Sequence, residues 1–128
     1  MVYGMKIKQL AVALFSLMLI TELCAKDYLV DTPKAYEKVV KNLTAGDTLK
    51  LANGIWKNFE VVFTGQGTKE QPIKLTAETK GKVILSGQSN LRLAGEYLEV
   101  SGLVFKNGYT PTRSVISYQV NKKEFANN

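Results

Sequence analysis

The residues best suited to chemistry are few and scattered. Histidine is absent, so the chain holds no imidazole base, no His-containing triad and no His metal ligand. Glu60, Glu70, Glu78, Glu96 and Glu99 lack the clustered Asp-x-Asp spacing of a calcium loop. Gly65-x-Gly67 has the outline of a phosphate-cradling turn, but no helical pattern follows it, so it reads as a plain turn. Lys106 and Arg113 flank the stretch "NGYTPT" and could meet a polyanion, although surface charges of this kind are mostly solvated. Trp56 and Tyr109 could stack on sugar rings, and burial is the simpler role for such aromatics. No residue is therefore assigned to catalysis or to a metal, and substrate-binding positions stay open.

The elements that would have to position these side chains begin with a segment that is not part of the fold. In "MKIKQLAVALFSLMLITELCA", residues 5–25, Lys6 and Lys8 precede an apolar stretch from Leu10 to Ile20, and a small residue follows at Ala25. This is the layout of a secretory signal, and a largely apolar stretch of eleven residues is too short to span a bilayer, which needs about 20. Residues 1–25 are thus expected to be a signal peptide cleaved after Ala25, placing the mature chain, 26–128, in the periplasm or outside the cell. No stable membrane insertion is expected after cleavage. The lone cysteine, Cys24, sits at the cleavage site, so the mature domain has no disulfide; lipid attachment there is the alternative, disfavoured by bulky Leu23 and charged Glu22. Cleavage removes two lysines and one glutamate, lowering the formal charge from +6 to +5. A basic exported chain suits an anionic polysaccharide better than nucleic acid, because export separates it from the latter.

With 128 residues and 45% hydrophobic content, the chain is sized for one globular domain. "DTPKAYEKVVKNLTAGD" predicts one helix: Thr32 caps it, Pro33 suits its first turn, and Tyr36, Val39, Val40 and Leu43 share one face, with Gly46 as the stop. The sequon Asn42-Leu43-Thr44 falls inside this predicted helix and is read as chance. Beyond Gly46 the pattern changes to short alternating runs ending in Gly or Asn. "VILSGQSNLRLAGEYLEVSG", residues 83–102, carries three of them, ending at Gly87, Gly95 and Gly102. Period-two alternation is that of strands, and a terminal Gly supplies the positive φ of a corner.

Runs this short suit a parallel solenoid better than a meander of hairpins. Leu49 and Leu51 recur 24 residues on as Ile73 and Leu75, and these 25 residues on as Leu98 and Val100. Val61 and Phe63 precede Val83 and Leu85 by 22, which precede Leu103 and Phe105 by 20. Such intervals match one coil of a β-helix, with inward residues of successive coils stacked into a continuous core.

The stretch from Leu49 to Asn128 resembles the N-terminal part of the polysaccharide lyases that include chondroitinase B and related alginate lyases. Its most specific pieces are Ala52-Asn53-Gly54-Ile55-Trp56, Gln71-Pro72-Ile73, and Gly95-Glu96-Tyr97-Leu98 through Phe105-Lys106-Asn107-Gly108. The resemblance implies an all-β fold with one N-terminal capping helix, a right-handed parallel β-helix of which these are the first coils. It also implies β-elimination on a uronic acid polysaccharide, alginate or chondroitin/dermatan sulfate. In such enzymes calcium neutralises the substrate carboxylate, a lysine acts as base and an arginine as acid. Those residues belong to later coils, so none transfers onto this chain and no calcium is expected to bind it. The expectation is an interrupted lyase, inactive by itself; the alternative is a noncatalytic carbohydrate-binding or surface β-helix module.

Overall fold

The computed structural model describes residues 24–121 and 123–127. The expected signal peptide lies outside them except for Cys24 and Ala25, both exposed. A strand that the sequence pattern did not single out, β1 (Asp27–Val30), comes first, burying Val30. Helix α1 (Pro33–Val40) follows, with Thr32 Oγ1 accepting from the Ala35 amide at 3.1 Å and Pro33 in the first turn.

The helix stops before the predicted end. Asp47 is the physical reason: its Oδ2 accepts from the Thr44 amide (2.9 Å) and hydroxyl (3.1 Å), and its Oδ1 accepts from the Lys26 amide (2.9 Å). These bonds draw residues 44–47 into a turn, which Gly46 completes at φ 91°. Leu43 still packs on the core, now from a loop. The Asn42 sequon therefore sits past the helix rather than inside it, and Asn42 Nδ2 donates back to the Lys38 carbonyl at 3.0 Å.

Short strands then wind repeatedly: β2 (Thr48–Leu51), β3 (Gly54–Lys57) and β4 (Glu60–Gln66) in one coil, and β5 (Ile73–Ala77), β6 (Val83–Gln88) and β7 (Asn90–Glu96) in the next. A third coil holds β8 (Leu98–Ser101), β9 (Leu103–Tyr109), β10 (Ile116–Ser117) and β11 (Ala126–Asn127). Every pairing of these strands is parallel and joins neighbouring coils, giving sheets β1-β2-β5-β8, β3-β6-β9, and β4-β7 with β10 and β11 on the far edge of β7. This is a parallel β-helix, as the repeat and the resemblance predicted.

Inward residues form ladders along the solenoid axis. Leu49, Leu75 and Val100 stack in the first sheet, Trp56, Leu85 and Phe105 in the second, and Val61, Leu91 and Ile116 in the third. Fully burying one such side chain contributes about 1.5–3 kcal/mol, so each ladder holds its coils together by apolar contact as well as by backbone bonds. At the first coil the core is closed by α1. Tyr36 inserts there, meeting the Phe59 ring edge-on at 5.3 Å, and Phe59 stacks on Trp56 at 5.2 Å.

Two predicted registers are corrected. Leu49 pairs with Leu75, not Ile73. Val61 and Phe63 stack on Leu91 and Leu93, while Val83 and Leu85 lie over Gly54 and Trp56 in a different sheet. The first is a slip of two residues, which leaves the same side chains facing inward; the second assigns a strand to the wrong sheet, and alternation detects neither, since inward residues look alike on every sheet. The predicted pairings of Ile73 with Leu98 and of Val83 with Leu103 hold.

The glycines also divide. Gly102 is a corner between β8 and β9 at φ 75°, whereas Gly95 lies within β7. Gly95 stacks on Gly65, has φ 127°, and a Cβ there would run into the Gly65 carbonyl. It is required by close approach of two coils, not by a bend.

Candidate functional site

The outer surface can be read sheet by sheet from the residues that point away from the core. On the first sheet the outward positions are tied in pairs: Lys50 to Asp27 at 2.7 Å, Lys74 to Glu99 at 3.8 Å, and Thr76 to Ser101 at 3.1 Å. Exposed pairs of this kind hold charge in place without creating a site.

The third sheet carries polar groups that sequence reasoning missed. Asn90 is fully buried, although it points outward from β7, because the turn at 110–112 covers it. Its amide nitrogen donates to Thr112 Oγ1 at 2.9 Å and to Glu60 Oε1 at 3.4 Å. Two residues along, Arg92 donates to the Val120 carbonyl at 3.4 Å and lies 3.9 Å from Glu60. Together they fasten residues 110–120 onto β7. The only sequence signal was a polar pair, Asn90 and Arg92, at alternate positions of a strand.

The corner between the second and third sheets is the most developed surface. Asn58 takes φ 55° there, and its side-chain oxygen accepts from the Gln88 amide at 2.9 Å. Gln88 in turn donates from Nε2 to the Tyr109 hydroxyl at 2.7 Å. Between Leu85 and Gly87 the pairing of β6 with β9 shifts register: Asn107 is left at φ 56°, and Gly108 packs directly on the Gly87 backbone. Such a bulge re-aims the side chains that follow it. Lys106, Asn107, Tyr109 and Thr110 border a recess of about 200 Å³ at this corner, whose floor reaches Val115 and the inward residues Leu85 and Phe105. The turn beyond is stiffened by Thr110 and Thr112, whose hydroxyls lie 3.0 Å apart and both donate to the Ser114 carbonyl.

The sequence candidates separate accordingly. Trp56 is 6% exposed and gives its indole N–H to the Ala52 carbonyl at 3.0 Å, so it belongs to the core. Tyr109 is 66% exposed and belongs to the corner, together with Lys106. Arg113 is exposed and does not border the recess. The five glutamates are dispersed: Glu60 serves the Asn90–Arg92 group, Glu78 accepts from the Asn53 amide at 2.9 Å, Glu99 pairs with Lys74, and Glu70 and Glu96 are exposed. Gly65 ends in strand β4 and no helix follows Gly67.

These groups do not form a calcium donor set. Among the described residues no three of His, Cys, Asp and Glu come together. Both oxygens of the buried Asp47 carboxylate are already occupied by protein donors, and Glu60 faces a guanidinium. Two buried titratable groups among the described residues are fixed by their surroundings. Burial raises the Tyr36 hydroxyl far above its ordinary range, and its proton is committed to the Val62 carbonyl at 2.8 Å. Burial also pushes the Asp47 carboxyl upward, but hydrogen bonds from Thr44 and Lys26, with the Lys26 charge, outweigh it and hold the carboxyl below its usual value. Both are structural groups of the capped end.

The model of the chondroitinase B family matches residues 30–128. A search among curated proteins found no match. Among solved structures, the alginate lyase AlyGC of polysaccharide lyase family PL6 shares 56% identity with a TM-score of 0.77, over 78% of this chain and 14% of that one. A mannuronic acid specific family 6 lyase from human gut microbiota shares 33% identity (TM-score 0.69; 79% of this chain, 24% of that one). A PL6 lyase from Pseudopedobacter saltans also shares 33% (TM-score 0.68; 77% and 22%). The chain thus spans less than a quarter of the length of these lyases, and the stacked coils, helical cap and matched residues place it as a member of the chondroitinase B family of polysaccharide lyases.

Proposed function

We propose that this chain forms the capped starting coils of an exported enzyme that cleaves alginate by β-elimination. The observation that carries the reading is the 56% identity to an alginate lyase over the same parallel solenoid. The mannuronic acid specificity of a second relative favours alginate over a sulfated glycosaminoglycan. In β-elimination a base removes the proton on carbon 5 of the uronate, the bond from carbon 4 to the glycosidic oxygen breaks, and a double bond forms between carbons 4 and 5. The leaving oxygen then takes a proton.

The described residues supply none of these proton transfers. Their part is to close the apolar end of the solenoid and set the register of the coils that carry the chemistry. Calcium, where the lyase uses it, would be held outside these coils. The basic flank and apolar stretch of residues 5–25 support export, to be checked by the mass of the secreted N terminus, expected to begin at Lys26.

The experiment compares the 128-residue polypeptide with the same chain extended by whatever reading frame follows Asn128. Absorbance of the unsaturated uronate product is expected to rise on alginate only for an extended chain bearing further coils. Turnover by the 128-residue polypeptide, or none by such an extended chain, overturns the assignment.

A further inference from the structure

The geometry points to Tyr109, Gln88 and Lys106 as a contact for one uronate residue of the polysaccharide, on the outer corner of the solenoid. The inference rests on the anionic-polysaccharide reading and specifies where such a chain is held. Three observations carry it.

First, the ring faces outward rather than along the solenoid axis. Tyr109 pairs with Gln88, and paired residues of neighbouring strands point the same way. Gln88 already has a coil on each side of it and is exposed. A further coil stacked on β9 would cover the apolar floor of the recess at Leu85 and Phe105 and leave the outward face of Tyr109 accessible, as it is for Gln88.

Second, the ring is held in place. Its hydroxyl accepts from Gln88 Nε2, which favours one ring orientation, and the Gln88 backbone N–H is bonded to Asn58 Oδ1. Behind the ring, Gly108 packs on Gly87 so closely that no side chain fits at 108. A preorganised aromatic face binds with less entropic loss than a mobile one.

Third, the neighbourhood matches a uronate. The C–H face of a pyranose ring stacks on an aromatic ring, while a carboxylate seeks a cation. Lys106 is exposed, borders the same recess, and makes no ion pair among the described residues. Lysine suits this task as a mobile point charge able to follow a carboxylate on a flexible glycan. Asn107 at the rim adds a polar group for a sugar hydroxyl.

The test is titration of the polypeptide with short alginate oligosaccharides, followed by NMR of the tyrosine ring protons. Tyr109 ring resonances are expected to shift on saturation. Tyr109→Ala is expected to raise Kd about threefold to tenfold, the worth of one aromatic contact. Lys106→Gln is expected to raise it about twofold to fivefold and to flatten its salt dependence. Lys34→Gln, on the exposed side of α1, is expected to change nothing. Tyr109→Phe keeps the ring and loses only the bond to Gln88, so its affinity falls between wild type and Tyr109→Ala; circular dichroism confirms that each variant folds.

Binding by Tyr109→Ala equal to wild type overturns the site and leaves the lyase assignment standing. Equal loss in Phe and Ala variants overturns the stacking role. If wild type binds no oligosaccharide the site is likewise overturned, while activity of the extended chain decides the lyase assignment separately.

Discussion

Replacing Asp47 tests how the capped end of the solenoid is held. The side chain is 2% exposed and accepts three hydrogen bonds, from the Lys26 amide, the Thr44 amide and the Thr44 hydroxyl. A bond to a charged group is worth about 1.5–3 kcal/mol, but Lys26 and Thr44 are exposed enough for water to reclaim part of each. Asp47→Ala is therefore expected to cost about 2–4 kcal/mol, a large share of the 5–15 kcal/mol typical of a domain. Asp47→Asn, which keeps the shape and one acceptor oxygen, is expected to cost about half as much.

The assay is urea unfolding followed by Trp56 fluorescence. Trp56 is the only tryptophan, and its partner Phe59 touches Tyr36 in the cap, so the probe reports on the region disturbed. The sign of the pH dependence follows from the lowered folded-state carboxyl. Its stabilisation is complete above the unfolded value of about 3.9 and drains away as pH falls through the folded value. The gap between wild type and Asp47→Asn should therefore be constant near neutrality and close in acid. A cost for Asp47→Ala below about 0.5 kcal/mol, or a gap unchanged well below the unfolded carboxyl value, would refute the reasoning.

Two further outcomes are expected. Gly95→Ala meets the Gly65 carbonyl and a φ of 127° at once, so it should cost at least about 2–3 kcal/mol or abolish the cooperative transition; a loss within about 0.5 kcal/mol in the same urea assay contradicts the close coil contact. The third coil leaves Ile116 48% and Tyr118 68% exposed beside half-buried Leu98, Val100, Leu103 and Phe105. The 128-residue polypeptide should accordingly associate with rising concentration, and Ile116→Lys with Tyr118→Lys should weaken that association in sedimentation velocity; a monomer at every concentration rejects this.

Legibility varied with the range of the forces involved. The cap at Thr32, the inward faces of the strands and the corner at Gly102 were readable because each depends on a residue and its immediate neighbours. The early end of α1 was not, since it rests on Asp47 being buried where its carboxylate can take the Thr44 amide and, from 21 positions earlier, the Lys26 amide. Trp56 and Tyr109 looked equivalent as sugar-stacking candidates. Only the packing of Trp56 on Phe59 and the bulge before Tyr109 separated them.

The sequence by itself determined that this chain would wind short strands around an apolar core, and the kinship of its motifs with polysaccharide lyases. Alternation and turn residues act within a few positions, and they leave little else for such segments to form. Which strand lies on which was decided by tertiary structure alone. A slip of two residues keeps every apolar side chain inward, so register comes from unequal coil lengths and from contacts such as Gly65 with Gly95. The candidate site follows the same rule: Asn58, Gln88 and Tyr109 are far apart in the chain and meet only because three successive coils turn at the same corner, one above the next.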